Sequence, residues 1–140
     1  MTPEAVLYPM LVMFLITFFI AIRLAVLRYR AVVQDGLHPG YFKHNRGAKP
    51  PEYLLRTTDH YDNLFEQPML FYIGTILVYV TGESDGLFLL LGWSYVASRI
   101  LHGYIHIKLN KLIWRRNSFA LAFIILFIQW VYLFAQLALK

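Results

Sequence analysis

The chain has 140 residues, of which 59% are hydrophobic and 15% charged, with a net charge of +5 and a mean hydropathy of +0.52. Soluble domains run nearer ~45–50% apolar and ~25% charged, so an ordinary soluble fold is excluded. Intrinsic disorder, which needs low hydrophobicity, is excluded as well. There is no cysteine, which removes disulfide scaffolds and thiolate metal sites and assigns any thiol chemistry to a ligand.

A helix needs ~20 residues to cross a bilayer, so about four such spans nearly fill the chain as a single membrane domain. The first is predicted over about 3–32. Its apolar part, Glu4 to Ile22, has no basic region in front and no small-residue cleavage site behind, so it reads as a retained helix rather than a signal peptide. Pro3 suits a first helical turn. Arg23, Arg28 and Arg30 carry the helix into the headgroups. A polar loop over 33–53 follows, broken by Gly36, Pro39, Gly40, Gly47 and the Pro50-Pro51 pair.

Helix 2 is predicted over about 54–81 and helix 3 over about 85–109. Their apolar parts, Pro68 to Val80 and Gly86 to Ala97, each span roughly 20 Å at ~1.5 Å per residue, short of a ~30 Å hydrocarbon core. Polar neighbours must therefore complete each crossing, Arg56 to Gln67 in one and Ser98 to Asn110 in the other. Ser84 or Asp85 can cap helix 3. Helix 4, about 112–139, is apolar enough alone. Its Gln129 and Gln136 share a face and are expected to bond to a neighbouring helix.

Four crossings put the two polar loops on one side and both termini on the other. Twelve of the 13 Lys and Arg fall on the loop side, leaving only Lys140 opposite. The positive-inside rule then places loops 1 and 3 in the cytoplasm and the termini outside. Attraction to anionic lipid accounts for this basic collar, and no nucleic-acid module is present. All five histidines, His38, His44, His60, His102 and His106, lie on the same side.

Helical spacing gathers the polar residues into stripes. On helix 2 they are Arg56, Asp59 or His60, Asn63, and Glu66 or Gln67. On helix 3 they are Arg99, His102, His106 and Asn110. Arg99 is expected to pair with Glu66 or Asp59, either to neutralise buried charge and set register or as part of a functional site. His102 and His106, at i and i+4, have a spacing that can hold a metal, but no HExxH-type motif accompanies them and hydrogen bonding is the expected role. Of the adjacent Arg115 and Arg116, at most one can face the cavity. There it would be a fixed cation for an anion or thiolate, reinforced by a helix N-terminus.

The run Arg56-Thr-Thr-Asp-His-Tyr-Asp-Asn63-Leu-Phe-Glu66-Gln-Pro68 resembles helix 2 of the MAPEG superfamily, membrane-associated proteins of eicosanoid and glutathione metabolism. Asn63 and Glu66 form its recognisable core. Ser98-Arg99-Ile-Leu-His102 resembles the family's helix 3, and Arg115 matches an Arg at the start of helix 4. Where members carry an Arg four residues before the Asn, this chain has Asp59. Gln67 stands where a Tyr follows the Glu, and His106 takes the place of a site tyrosine. The chain thus resembles a divergent bacterial branch, placed in the inner membrane.

The resemblance implies an all-α, integral membrane four-helix bundle forming a homotrimer, with glutathione as co-substrate. Arg56, Asn63, Glu66, Arg99, His102 and His106 would bind the tripeptide. Arg115 would be catalytic, stabilising the thiolate for attack on a lipophilic electrophile arriving from the lipid, in a transferase or peroxidase reaction. Two other readings stand beside this one. One is a non-catalytic lipid- or partner-binding protein of the same fold. The other is a glutathione-independent, histidine-based enzyme, in which loss of His106 would matter and loss of Arg115 would not.

Overall fold

The structure is a computed structural model that describes residues 2–44 and 46–139. Lys140, expected on the outer side, lies outside the described residues. The described chain is helical and without strands. A 3-10 turn (Pro3–Val6) leads into α1 (Leu7–Val33). After it come the short α2 (Tyr41–His44), α3 (Glu52–Asn63), α4 (Gln67–Thr81), α5 (Gly86–Tyr104), a π-helical turn (Ile105–Leu109), and α6 (Leu112–Ala138). α5 packs along α6, α3 and α4 lie against α1, and α4 also meets α6.

Among the described residues, three segments are long and apolar enough to cross a membrane: Pro3–Val33, Glu52–Thr81 and Leu112–Ala138. The third expected span does not qualify as a plainly apolar helix. α5 has 19 residues, and its buried Arg99 and His102 lower its hydropathy. With the π turn it still extends roughly 35 Å at ~1.5 Å per residue. α1 and α6 turn Phe18, Phe19, Phe127 and Phe134 outward, each more than half exposed, a surface suited to lipid rather than water.

Helix 2, expected as one element over about 54–81, is two helices. α3 ends at Asn63, Leu64 and Phe65 donate back to the carbonyls of Tyr61 and Asp62 in tighter i→i+3 bonds, and Glu66 leaves the helical region at φ −88°, ψ −93°. Pro68 lies in the first turn of α4. A proline is at home there because it has no N–H to offer, whereas inside a continuous helix it would lose a hydrogen bond and clash with the preceding turn. The first loop differs as well, winding into the single turn of α2.

The core sits in three layers along the bundle. At its centre are Met13, Leu64, Phe71, Tyr95, Val96, Ala122 and Leu126, with Phe71 and Tyr95 stacked at 4.5 Å. Glycines let the helices approach: a Cβ on Gly92 would lie 3.2 Å from Pro9 of α1, and one on Gly74 would lie 3.3 Å from Trp130 of α6.

At one end Val6, Val78, Phe88 and Leu133 pack together beneath a polar knot. Asp85 caps α5, its Oδ1 accepting from the Phe88 N–H at 2.9 Å. Its Oδ2 accepts from the Tyr132 hydroxyl at 2.5 Å and from Gln136 at 3.4 Å. Gln136 thus reaches a neighbouring helix as expected. Gln129 is buried, and its Oε1 has no hydrogen-bond partner among the described residues. Asp85→Ala is expected to cost about 1 kcal/mol through the lost cap alone, and more as Tyr132 and Gln136 lose their acceptor. Thermal unfolding in detergent should show it, with Asp85→Asn recovering part of the loss.

A candidate ligand site at the polar end of the bundle

The opposite end gathers the C-termini of α1 and α5, the length of α3 and the N-terminus of α6. Apolar contacts among Leu24, Ala31, Leu37 and Leu54 fasten α3 and the first loop to α1. Between α3, α5, the π turn and α6 lie polar side chains that are almost wholly buried: His60, Arg99, His102, His106 and Ser118.

Three imidazoles form a triangle, with ring centroids 6.1 Å apart for His60 and His102, 5.5 Å for His60 and His106, and 5.6 Å for His102 and His106. His60 reaches so far because Gly103 has no side chain. A Cβ there would lie 2.9 Å from His60 Nε2. The three rings do not form a metal cage: no group of three His, Asp or Glu among the described residues has an arrangement that holds an ion.

Arg99 does not pair with Glu66 or Asp59. Both acids are exposed, and the guanidinium instead donates from Nη2 to the Asn63 carbonyl at 3.1 Å. The break after α3 explains the change. It takes Glu66 out of the helical conformation, leaving it exposed and without an ion pair to the guanidinium, and leaves carbonyls free at the end of α3, where the helix dipole presents partial negative charge to a cation. The guanidinium also lies 5.9 Å from the Phe119 ring centroid, a contact that favours a cation. Arg99 Nε and Nη1 have no hydrogen-bond partner among the described residues, and neither do His60 Nδ1, His102 Nε2 and His106 Nδ1. Buried polar atoms are usually paired, so this end has unused capacity for a bound molecule or water.

Arg115 turns inward and Arg116 outward. Arg115 Nη1 donates to Asn110 Oδ1 at 3.0 Å and Nη2 to His106 Nε2 at 2.6 Å. Its carbonyl accepts from the Ser118 hydroxyl at 3.0 Å, and Ser118 in turn meets His102 Nδ1 at 3.0 Å. Of the expected site residues, Arg99, His102, His106 and Arg115 therefore converge. Asn63 stands at the edge, its Nδ2 bonded to the Asp59 carbonyl at 2.8 Å, while Glu66 faces outward. Arg56 is drawn away into an ion pair with Glu52 on its own helix. Beside the cluster an apolar groove of about 300 Å³ runs between α5 and α6, lined by Leu101, Ile105, Trp114, Asn117, Ser118 and Leu121.

Ser118 and the π turn escaped the sequence reading. Ser118 lies three residues after Arg115, one turn on along the same face, and that register is the signal that points to it. Nothing in the residue types of 105–109 announces a π turn.

The chain belongs to the MAPEG family, whose sequence profile matches residues 6–135. No curated protein gives a significant match, and neither does any solved structure. Family membership and three apolar helices make this an integral membrane protein.

Proposed function

We propose that this MAPEG protein binds glutathione at the polar end of the bundle and acts as a transferase or peroxidase on lipophilic electrophiles. The observation that carries the reading is Arg115 at the start of α6, its guanidinium held by Asn110 and by the buried His106. A permanently charged donor stabilises a thiolate, and a preorganised donor costs no reorganisation when the nucleophile forms. Asn63, Glu66 and Arg99 are the contacts for the tripeptide. Glu66 is exposed in its own chain, and a neighbouring copy in a homotrimer would enclose it beside the ligand. The groove between α5 and α6 suits an apolar electrophile arriving from the lipid. The basic end faces the cytoplasm of a bacterial inner membrane, with α5 and its π turn as the fourth crossing.

A second reading rests on the imidazole triangle: a glutathione-independent reaction run by His60, His102 and His106. Calorimetric titration of the purified protein in detergent with glutathione separates the two. Saturable binding that Glu66→Gln and Asn63→Ala weaken supports the first. Absence of binding at millimolar glutathione contradicts it and leaves the histidine-based reading and the non-catalytic lipid- or partner-binding one.

A further inference from the structure

We infer that the π turn at the end of α5 is the device that positions Arg115. His106 and Asn110 are positioning residues for its guanidinium, and His102 pins its backbone through Ser118. The inference rests on the glutathione reading for its purpose, while its geometry is read from this chain's own contacts.

The turn is closed by the Asn110 N–H donating to the Ile105 carbonyl at 2.7 Å, an i→i+5 bond. A π turn inserts an extra residue into a helix and re-aims the side chains around it, which is why such turns recur at functional sites. Here His106 lies within the turn and Asn110 just after it, and both side chains accept from the same guanidinium. Asn110 also ends the helix in the left-handed region at φ 48°; no other described non-glycine residue has a positive φ. Asparagine tolerates that conformation better than most residues, and its Oδ1 supplies an acceptor for Arg115 that glycine would lack. One residue thus both turns the chain and holds the arginine.

The contacts also fix protons. A guanidinium only donates, so His106 Nε2 accepts and the ring proton is on Nδ1. With the Ser118 hydroxyl donating its one proton to the Arg115 carbonyl, His102 Nδ1 donates to Ser118, the arrangement we assign, and that ring too carries its proton on Nδ1. Which nitrogen is protonated is set by the bond the other atoms make. Both histidines, expected from the sequence to touch a ligand, are engaged with Arg115 and its serine.

Two measurements test this. Nitrogen NMR of histidine-labelled protein in detergent should show His106 and His102 protonated on Nδ1, with the His106 signal moving in Arg115→Met. Protonation on His106 Nε2, or no response to Arg115→Met, overturns the inference whether or not glutathione binds. In the presence of glutathione, His106→Phe and Asn110→Gly should lower the thiolate fraction at neutral pH severalfold, toward the few per cent of a free thiol with a pKa of ~8.5. His106→Gln, which offers Oε1 to Arg115, should restore most of it. An unchanged thiolate fraction in His106→Phe, with wild-type protein forming thiolate normally, sinks the positioning role while leaving the glutathione reading intact. A wild-type protein that forms no thiolate sinks the glutathione reading, and the NMR result then decides the geometry alone.

Discussion

Replacing Arg115 with Met is expected to abolish most glutathione activation. Turnover with a lipophilic aryl halide should fall by roughly 10²–10³, the usual cost of removing one preorganised donor to a developing anion. The thiolate pKa should return toward the ~8.5 of a free thiol. Because Arg115 donates to both Asn110 and His106, the substitution leaves two acceptors unpaired and also lowers stability. Rates therefore need comparison at equal folded fraction. The contacts also alter what a His106 substitution means. From sequence alone, Arg115→Ala and His106→Ala distinguish two chemistries. In the structure the two side chains share a hydrogen bond, so loss of either disturbs the other, and His106→Gln against His106→Phe is the informative pair.

The second large effect is expected at Gly103. A valine there must displace the buried His60 ring, whose Nε2 would lie 2.9 Å from the new Cβ. Overpacking of this kind costs about 1–3 kcal/mol, and here it also pushes one corner of the imidazole triangle out of place. The midpoint of thermal unfolding should fall. The double variant Gly103→Val with His60→Ala should recover part of the loss, since the smaller side chain makes room. A fully additive loss in the double variant would show that the contact between α3 and α5 is not what Gly103 protects.

The helical class and the placement of the polar end were legible because they follow from hydropathy and spacing. The apolar runs after Pro3, Pro68 and Gly86 and beyond Ser118 lie within helices of the structure, and Asp85 caps α5 as its position suggests. Backbone irregularities were less legible. The break between Asn63 and Gln67 carries a signal in Pro68, but a proline in a first turn and a proline within a kinked helix look alike in sequence. That ambiguity bears on Arg99, because the break ends α3 at Asn63 and offers its carbonyl to the guanidinium. The π turn had no residue-level signal, so the stripe of Arg99, His102, His106 and Asn110 read as one face of a regular helix. Regular spacing placed these residues at the same end but not their partners. His102 proved to meet Ser118, and His106 and Asn110 proved to meet Arg115.

The most direct measurement is a pH titration of ultraviolet thiolate absorbance on the purified protein with saturating glutathione, wild type beside Arg115→Met. The predicted result is a thiol pKa in the wild type well below that of free glutathione, near or under neutral pH, and a return to the free value in Arg115→Met. A wild-type titration indistinguishable from free glutathione, or a depressed pKa that persists in Arg115→Met, would contradict the assignment of thiolate stabilisation to this arginine.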